Sequence, residues 1–195
     1  MTPDPADAMA VATALISGPL MANHHHGLWG YHGPRVDSER PLSVHSIGIG
    51  SVCAGLVVAE LIEHGARRVV LLGRFCPFEP ATGPLLVDRA WRGGELVLPA
   101  PGLRAALTAT SIAAGAVATF DPLTTRNGND SAAIAGTDLE SAGVLAAASG
   151  AGAAAAAILL PRPAVEHEGE EERDRRERDE LIGLARSVLS ALDAA

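Results

Sequence analysis

The chain has no lysine; all fifteen of its basic residues are arginine. Schiff-base chemistry on a lysine amine is therefore excluded. Aromatic residues make up only 3% of the 195 positions, so the core has to be assembled from Ala, Val, Leu and Ile. Cysteine is nearly absent as well. Cys53 and Cys76 read as reduced, semi-buried thiols of a cytoplasmic protein rather than a disulfide framework. Positive charge is short: the net charge is −8 and no basic stripe runs along the chain, which excludes tracking of a phosphate backbone and hence nucleic acid as a partner. The opening MTPDPADAM is acidic and proline-containing, unlike a secretory leader. The uncharged stretch from Ala142 to Leu160 is mostly Ala, Gly and Ser and is interrupted by Gly150 and Gly152, so it reads as buried core and not as a membrane span.

What is present points to a folded α/β chain. Hydrophobic residues reach 48%, enough to fill a core for one domain over 1–195. Residues 7–17 read as an Ala-rich helix closed by Gly18-Pro19. A strand is expected at 42–47, then a helix from an N-cap at Ser51 to about His64 with Gly65 as its left-handed terminator, then a short apolar strand at 69–72. Strand, helix and strand make a βαβ unit. Further strands are expected at 95–98 and 115–120, a mobile loop over 123–136, and a helix from near Asp138 to Gly150. In AAAAAILLP, alanine favours helix while the short apolar run stopped by Pro161 favours a buried strand; the strand is the better reading. At the C-terminus, residues 166–180 hold nine acids and four arginines. Glu171–Arg175 and Glu172–Arg176 sit at i to i+4, and Leu181, Leu184, Val188 and Leu192 share one face. That predicts an amphipathic helix within 166–195 whose charged run is a solvated face.

The glycine turn SIGIGSVCAG, residues 46–55, is the first candidate for chemistry. Gly48 and Gly50 fit the opening of a dinucleotide turn, but the third glycine is Cys53 and no acid ends the following strand, VVLLG. A tight strand-to-helix turn is the plain alternative. The run of three histidines at 24–26 has no carboxylate or cysteine at ligand spacing, so no metal is expected.

Residues 46–73, SIGIGSVCAGLVVAELIEHGARRVVLLG, resemble the core of the uridine and purine nucleoside phosphorylase superfamily, where a strand ends in S-T-G-I-G-G, a helix carries E-E-L, and G-A-R leads into the next strand. TDLESAG at 137–143 is similar to that family's E-M-E-S-A motif. ANHHHGLWGYHG at 22–33 resembles the loop before its second strand, and PDPAD at 3–7 resembles G-D-P-x-R. The resemblance implies a single-domain, three-layer α/β/α fold with a mixed central sheet. It also implies cleavage of a nucleoside's N-glycosidic bond through an oxocarbenium-like transition state, with inorganic phosphate as candidate co-substrate and no other cofactor. A cytoplasmic homo-oligomer, dimer or hexamer, is expected.

By the same resemblance, Glu140 corresponds to the glutamate that accepts hydrogen bonds from the ribose 2′- and 3′-hydroxyls. Leu139 replaces the methionine beneath the sugar, Asp138 shortens the first acid of the motif, and Gly50 belongs to the glycine turn. The phosphate cradle departs from the pattern. Pro3 stands where a glycine offers its N–H, Asp7 and Leu71 stand where arginines bind the anion, and Arg74 replaces a Ser or Thr as a partly restoring cation. His26 falls at or beside the arginine that a neighbouring subunit supplies. For the base, purine relatives place a Ser-Asp pair where this chain has LLPRP; Arg126 or Arg162 are the remaining donors. No catalytic residue follows from the motifs. Two functions stay open: a phosphorylase or phosphate-independent hydrolase of nucleosides, and a catalytically impaired nucleoside-binding partner of an intact paralogue in a hetero-oligomer.

Overall fold

The computed structural model describes residues 1–120, 134–162 and 169–195. At its centre is β9, Ala154–Pro161, the run where alanine's helix preference competes with a short apolar stretch. The strand wins because both of its faces are buried. Ala156, Ile158 and Leu160 enter one hydrophobic cluster, and Ala155, Ala157 and Leu159 enter the other. Small and branched apolar side chains suit a strand covered on both sides. Helices α1 (Pro5–Leu15), α3 (Pro101–Thr108) and α5 (Glu170–Ala194) cover the first face, and α2 (Ser51–Glu63) and α4 (Ser141–Gly150) the second. The architecture is the expected three-layer α/β/α arrangement around a mixed sheet.

β9 runs parallel to β4 (Arg68–Pro77), from Ala154 opposite Arg68 to Pro161 opposite Phe75. The end of β4 pairs antiparallel with β8 (Ile134–Asp138), which lies parallel to β7 (Ala113–Thr119), itself parallel to β5 (Leu85–Arg92). β5 returns to β9 through Leu85–Leu159 and Leu86–Ile158, so five strands close into a ring. β6 (Glu95–Val97) extends the far end of β5.

Strands β1 (Leu20–Asn23), β2 (Gly30–Pro34) and β3 (Pro41–His45) form a separate antiparallel sheet. This corrects the expected βαβ unit: α2 lies between β3 and β4 in sequence, but the two strands are not sheet neighbours. Met1 and Thr2 lie between them. Thr2 N–H donates to the His45 carbonyl and Ile47 N–H to the Thr2 carbonyl, both at 2.9 Å, while Leu72 N–H reaches the Met1 carbonyl at 2.8 Å.

Helix ends shift for local reasons. Gly50, not Ser51, occupies the cap position of α2, with a φ of 93° that favours glycine. Gly65 ends that helix with a φ of 102°, as expected. The helix expected from Asp138 starts at Ser141, because Asp138 completes β8. Of the loop expected over 123–136, residues 134–136 are strand, and the rest, Arg126 included, lies outside the described residues. Cys53 is half-buried, but Cys76 is exposed, since Phe75 takes the core side of β4 and the alternation turns Cys76 outward. Leu181, Leu184 and Val188 are buried on α5, with Leu192 packed against the same cluster. Among the described residues no helix is long and apolar enough to cross a membrane.

Candidate functional site

The starts of α2 and α4 meet at one edge of the sheet, and the chain's own side chains hold them there. Asp138 Oδ1 accepts the Thr119 hydroxyl at 2.7 Å, while Oδ2 accepts the N–H groups of Ser141 at 2.7 Å and Glu140 at 3.3 Å. Thr119 Oγ1 in turn accepts Ala142 N–H at 3.0 Å. From the end of β8, two residues before the cap position at Glu140, Asp138 thus satisfies the N–H groups that open α4. Burial raises its pKa, opposed by these hydrogen bonds. Although it lines the cleft, its acceptors are engaged by backbone and by Thr119.

The next carboxylate has a different setting. Glu140 is 4% exposed, and its Oε1 accepts Gly50 N–H at 3.1 Å across the junction. Ser51 Oγ donates to the Leu139 carbonyl at 3.2 Å. Gly143, in the first turn of α4, lies against the backbone of Ser51; a Cβ there would come within 2.6 Å of Ser51 Cα. The S-A-G sequence after Glu140 is thus what lets the two helix starts touch. Burial pushes the Glu140 carboxyl from 4.5 up to about 7. The Gly50 N–H opposes that rise, the Asp138 charge adds to it, and the Leu139 N–H and Arg162 oppose it more weakly.

An open cleft of about 1030 Å³ lies in front of this junction. Of the residues singled out from the sequence, His26, Arg74, Asp138, Leu139, Glu140 and Arg162 line it, as do Pro3 and Asp7. Gly50 reaches it through its bond to Glu140. His26 sits in the short turn His25–Gly27 with a φ of 55°, and Arg162 follows β9 with its N–H on the Phe75 carbonyl at 2.8 Å. A second cleft, of about 940 Å³, contains none of these residues.

Arg74 is the residue whose surroundings differ most from expectation. Its Nη1 lies 2.6 Å from Asp7 Oδ2 and its Nε 3.0 Å from Glu177 Oε2. Arg178 approaches Asp7 at 3.9 Å, and Arg173 approaches Glu177 at 3.8 Å. The charged run of α5 is therefore only partly the solvated face predicted for it, because Arg173, Asp174, Glu177 and Arg178 line the cleft. A signal for this was present. Glu177 precedes the buried Leu181 by four residues, Leu184 by seven and Val188 by eleven, which puts it on the inward face of α5. Asp4 adds a further carboxylate at this end, accepting the N–H groups of Ala6 at 2.7 Å and Asp7 at 3.2 Å. Among the described residues the cleft wall carries six carboxylates against four guanidinium groups.

Comparison with solved structures identifies the fold as nucleoside-phosphorylase-like. Uridine phosphorylase from Vibrio fischeri ES114, complexed with 6-hydroxy-1-naphthoic acid, matches with a TM-score of 0.79 at 16% sequence identity, over 100% of this chain and 90% of that one. Purine nucleoside phosphorylase from Toxoplasma gondii, in complex with immucillin-H, matches with a TM-score of 0.76 at 18% identity, over 98% of this chain and 90% of that one. No protein-family model matches the chain, and no curated protein does.

Proposed function

We propose that this nucleoside-phosphorylase-like chain binds a nucleoside in the cleft and breaks its N-glycosidic bond. The observation that carries the reading is Glu140, a buried carboxyl fixed by Gly50 N–H at the mouth of two helix starts. An ionised carboxylate is purely an acceptor, so the adjacent hydroxyls of a ribose are matched donors for it. As the glycosidic bond lengthens, positive charge grows on the sugar. A carboxylate clamped to the diol then interacts more strongly than in the ground state, which is the condition for lowering a barrier. Leu139, half-buried in the same wall, offers an apolar surface beneath the ring. Arg162, whose charge is felt at Glu140, is the donor for the base.

Titration calorimetry and base release with a panel of purine and pyrimidine nucleosides test this. Binding of at least one nucleoside is expected, weakened about 10- to 100-fold in Glu140→Gln, because a charge-assisted bond is replaced by a neutral one. Affinity should rise as pH increases through about 7, where the acceptor form of Glu140 becomes dominant. A panel yielding neither heat nor free base rejects the reading. Heat without base release would leave the cleft a receptor rather than an enzyme.

A further inference from the structure

We propose that the cleft takes water as its nucleophile and excludes inorganic phosphate, an inference that rests on the glycosidic cleavage proposed above. At this end Arg74 and the start of α1 could receive an anion, and the chain's own carboxylates occupy both; Arg173 and Arg178, on the same wall, lie 3.8 Å from Glu177 and 3.9 Å from Asp7. The guanidinium of Arg74 holds Asp7 at 2.6 Å and Glu177 at 3.0 Å. The first free N–H groups of α1, a helix start that would otherwise attract an anion, hold the Asp4 carboxylate at 2.7 and 3.2 Å. Pro3 and Pro5 flank that position and offer no N–H at all.

Burial makes these contacts hard to exchange. The Asp7 side chain is 6% exposed, Glu177 17% and Arg74 19%. A phosphate dianion reaching Arg74 would have to displace one carboxylate, leaving it only the longer contact to Arg178 at 3.9 Å or Arg173 at 3.8 Å, while repelling the other two. Breaking one such pair weakens binding on the order of 10²- to 10³-fold. Water meets no such penalty. In the resulting step the water oxygen forms a bond to the anomeric carbon as the bond from that carbon to the base nitrogen breaks. The bonding pair leaves with the base, one water proton ends on the base nitrogen, and the products are ribose and free base.

The experiment follows turnover of the full chain on the nucleoside panel in phosphate-free buffer and with added inorganic phosphate, identifying the sugar product by mass spectrometry. Equal rates with free ribose in both are expected. A rate that requires phosphate, with ribose 1-phosphate formed, overturns the choice of water and leaves glycosidic cleavage standing. Cleavage in neither buffer overturns both. Independently, phosphate is titrated calorimetrically into the wild type and into Asp7→Asn/Glu177→Gln. The wild type is expected to show no saturable binding, and the double variant to gain at least about tenfold as Arg74 is released. Wild-type binding as tight as the variant's overturns the proposal, and that wild-type arm stands whether or not the variant folds.

Discussion

At one end of the cleft, Glu140 is buried with the Gly50 N–H at 3.1 Å and the Asp138 carboxylate near enough to raise its pKa. At the other end, Asp7 is buried to a similar degree and Glu177 is partly buried, but the two share a guanidinium at 2.6 and 3.0 Å. The same chemical group is thus held in two ways: under-compensated where a ligand's hydroxyls can complete it, and fully paired where the chain completes it alone. Burial by itself does not mark a functional carboxylate. The informative quantity is burial minus internal compensation.

The comparison predicts opposite signs when charge is removed from the two ends. The largest effect is expected from Arg74→Met, which strands Asp7 and Glu177 with only the longer contacts to Arg178 and Arg173. Stability should fall by about 3–4 kcal/mol, read from the urea midpoint, and a loss below about 1 kcal/mol would show the cluster to be solvated. Gly143→Ala comes next, at about 2–3 kcal/mol, because the new methyl meets the Ser51 backbone. It should also uncouple Gly50 from Glu140, so nucleoside binding falls further than stability alone explains. Glu140→Gln has the opposite sign, and stabilises. Glu140 titrates near 4.5 unfolded and about 7 folded, so the native state binds the extra proton between those values. Wild-type stability from this group is therefore complete below pH 4.5 and is lost as pH rises to about 7. The variant should match wild type below pH 4.5 and exceed it by about 3 kcal/mol at pH 8. A variant less stable than wild type at pH 8 would place Glu140 in the same class as Asp7.

The sequence carried much of this arrangement, and unevenly. Local periodicity and turn chemistry were enough for α2, β9 and α5, because hydrophobic spacing and the glycines at 50 and 65 act over a few residues. The junction at Glu140 was legible through ESAG, whose small residues answer to the backbone of Ser51. Strand β5 was missed: its LLVDRAWR alternates weakly, and what holds it is pairing with β7 and β9 far away in the chain. Helix α3 had a readable signal in Pro101 at its first turn and in Leu103 and Leu107, which are buried one turn apart. The pairing of Arg74 with Asp7 and Glu177 had none, since ion pairs between residues 67 and 103 positions apart leave no mark on local spacing. Asp7 alone reads as a lost cation; set beside Arg74 it is half of an exchange of charges.

The ring of strands is joined by only two rungs between β5 and β9, and the cleft draws its wall from Pro3 near the start of the chain to Arg178 near its close. A nascent polypeptide leaving the ribosome therefore carries every half-formed element of this site without possessing the site. Such long-range closure slows assembly, and ligand recognition would emerge only at its final stage, when the first and last helices meet across Arg74.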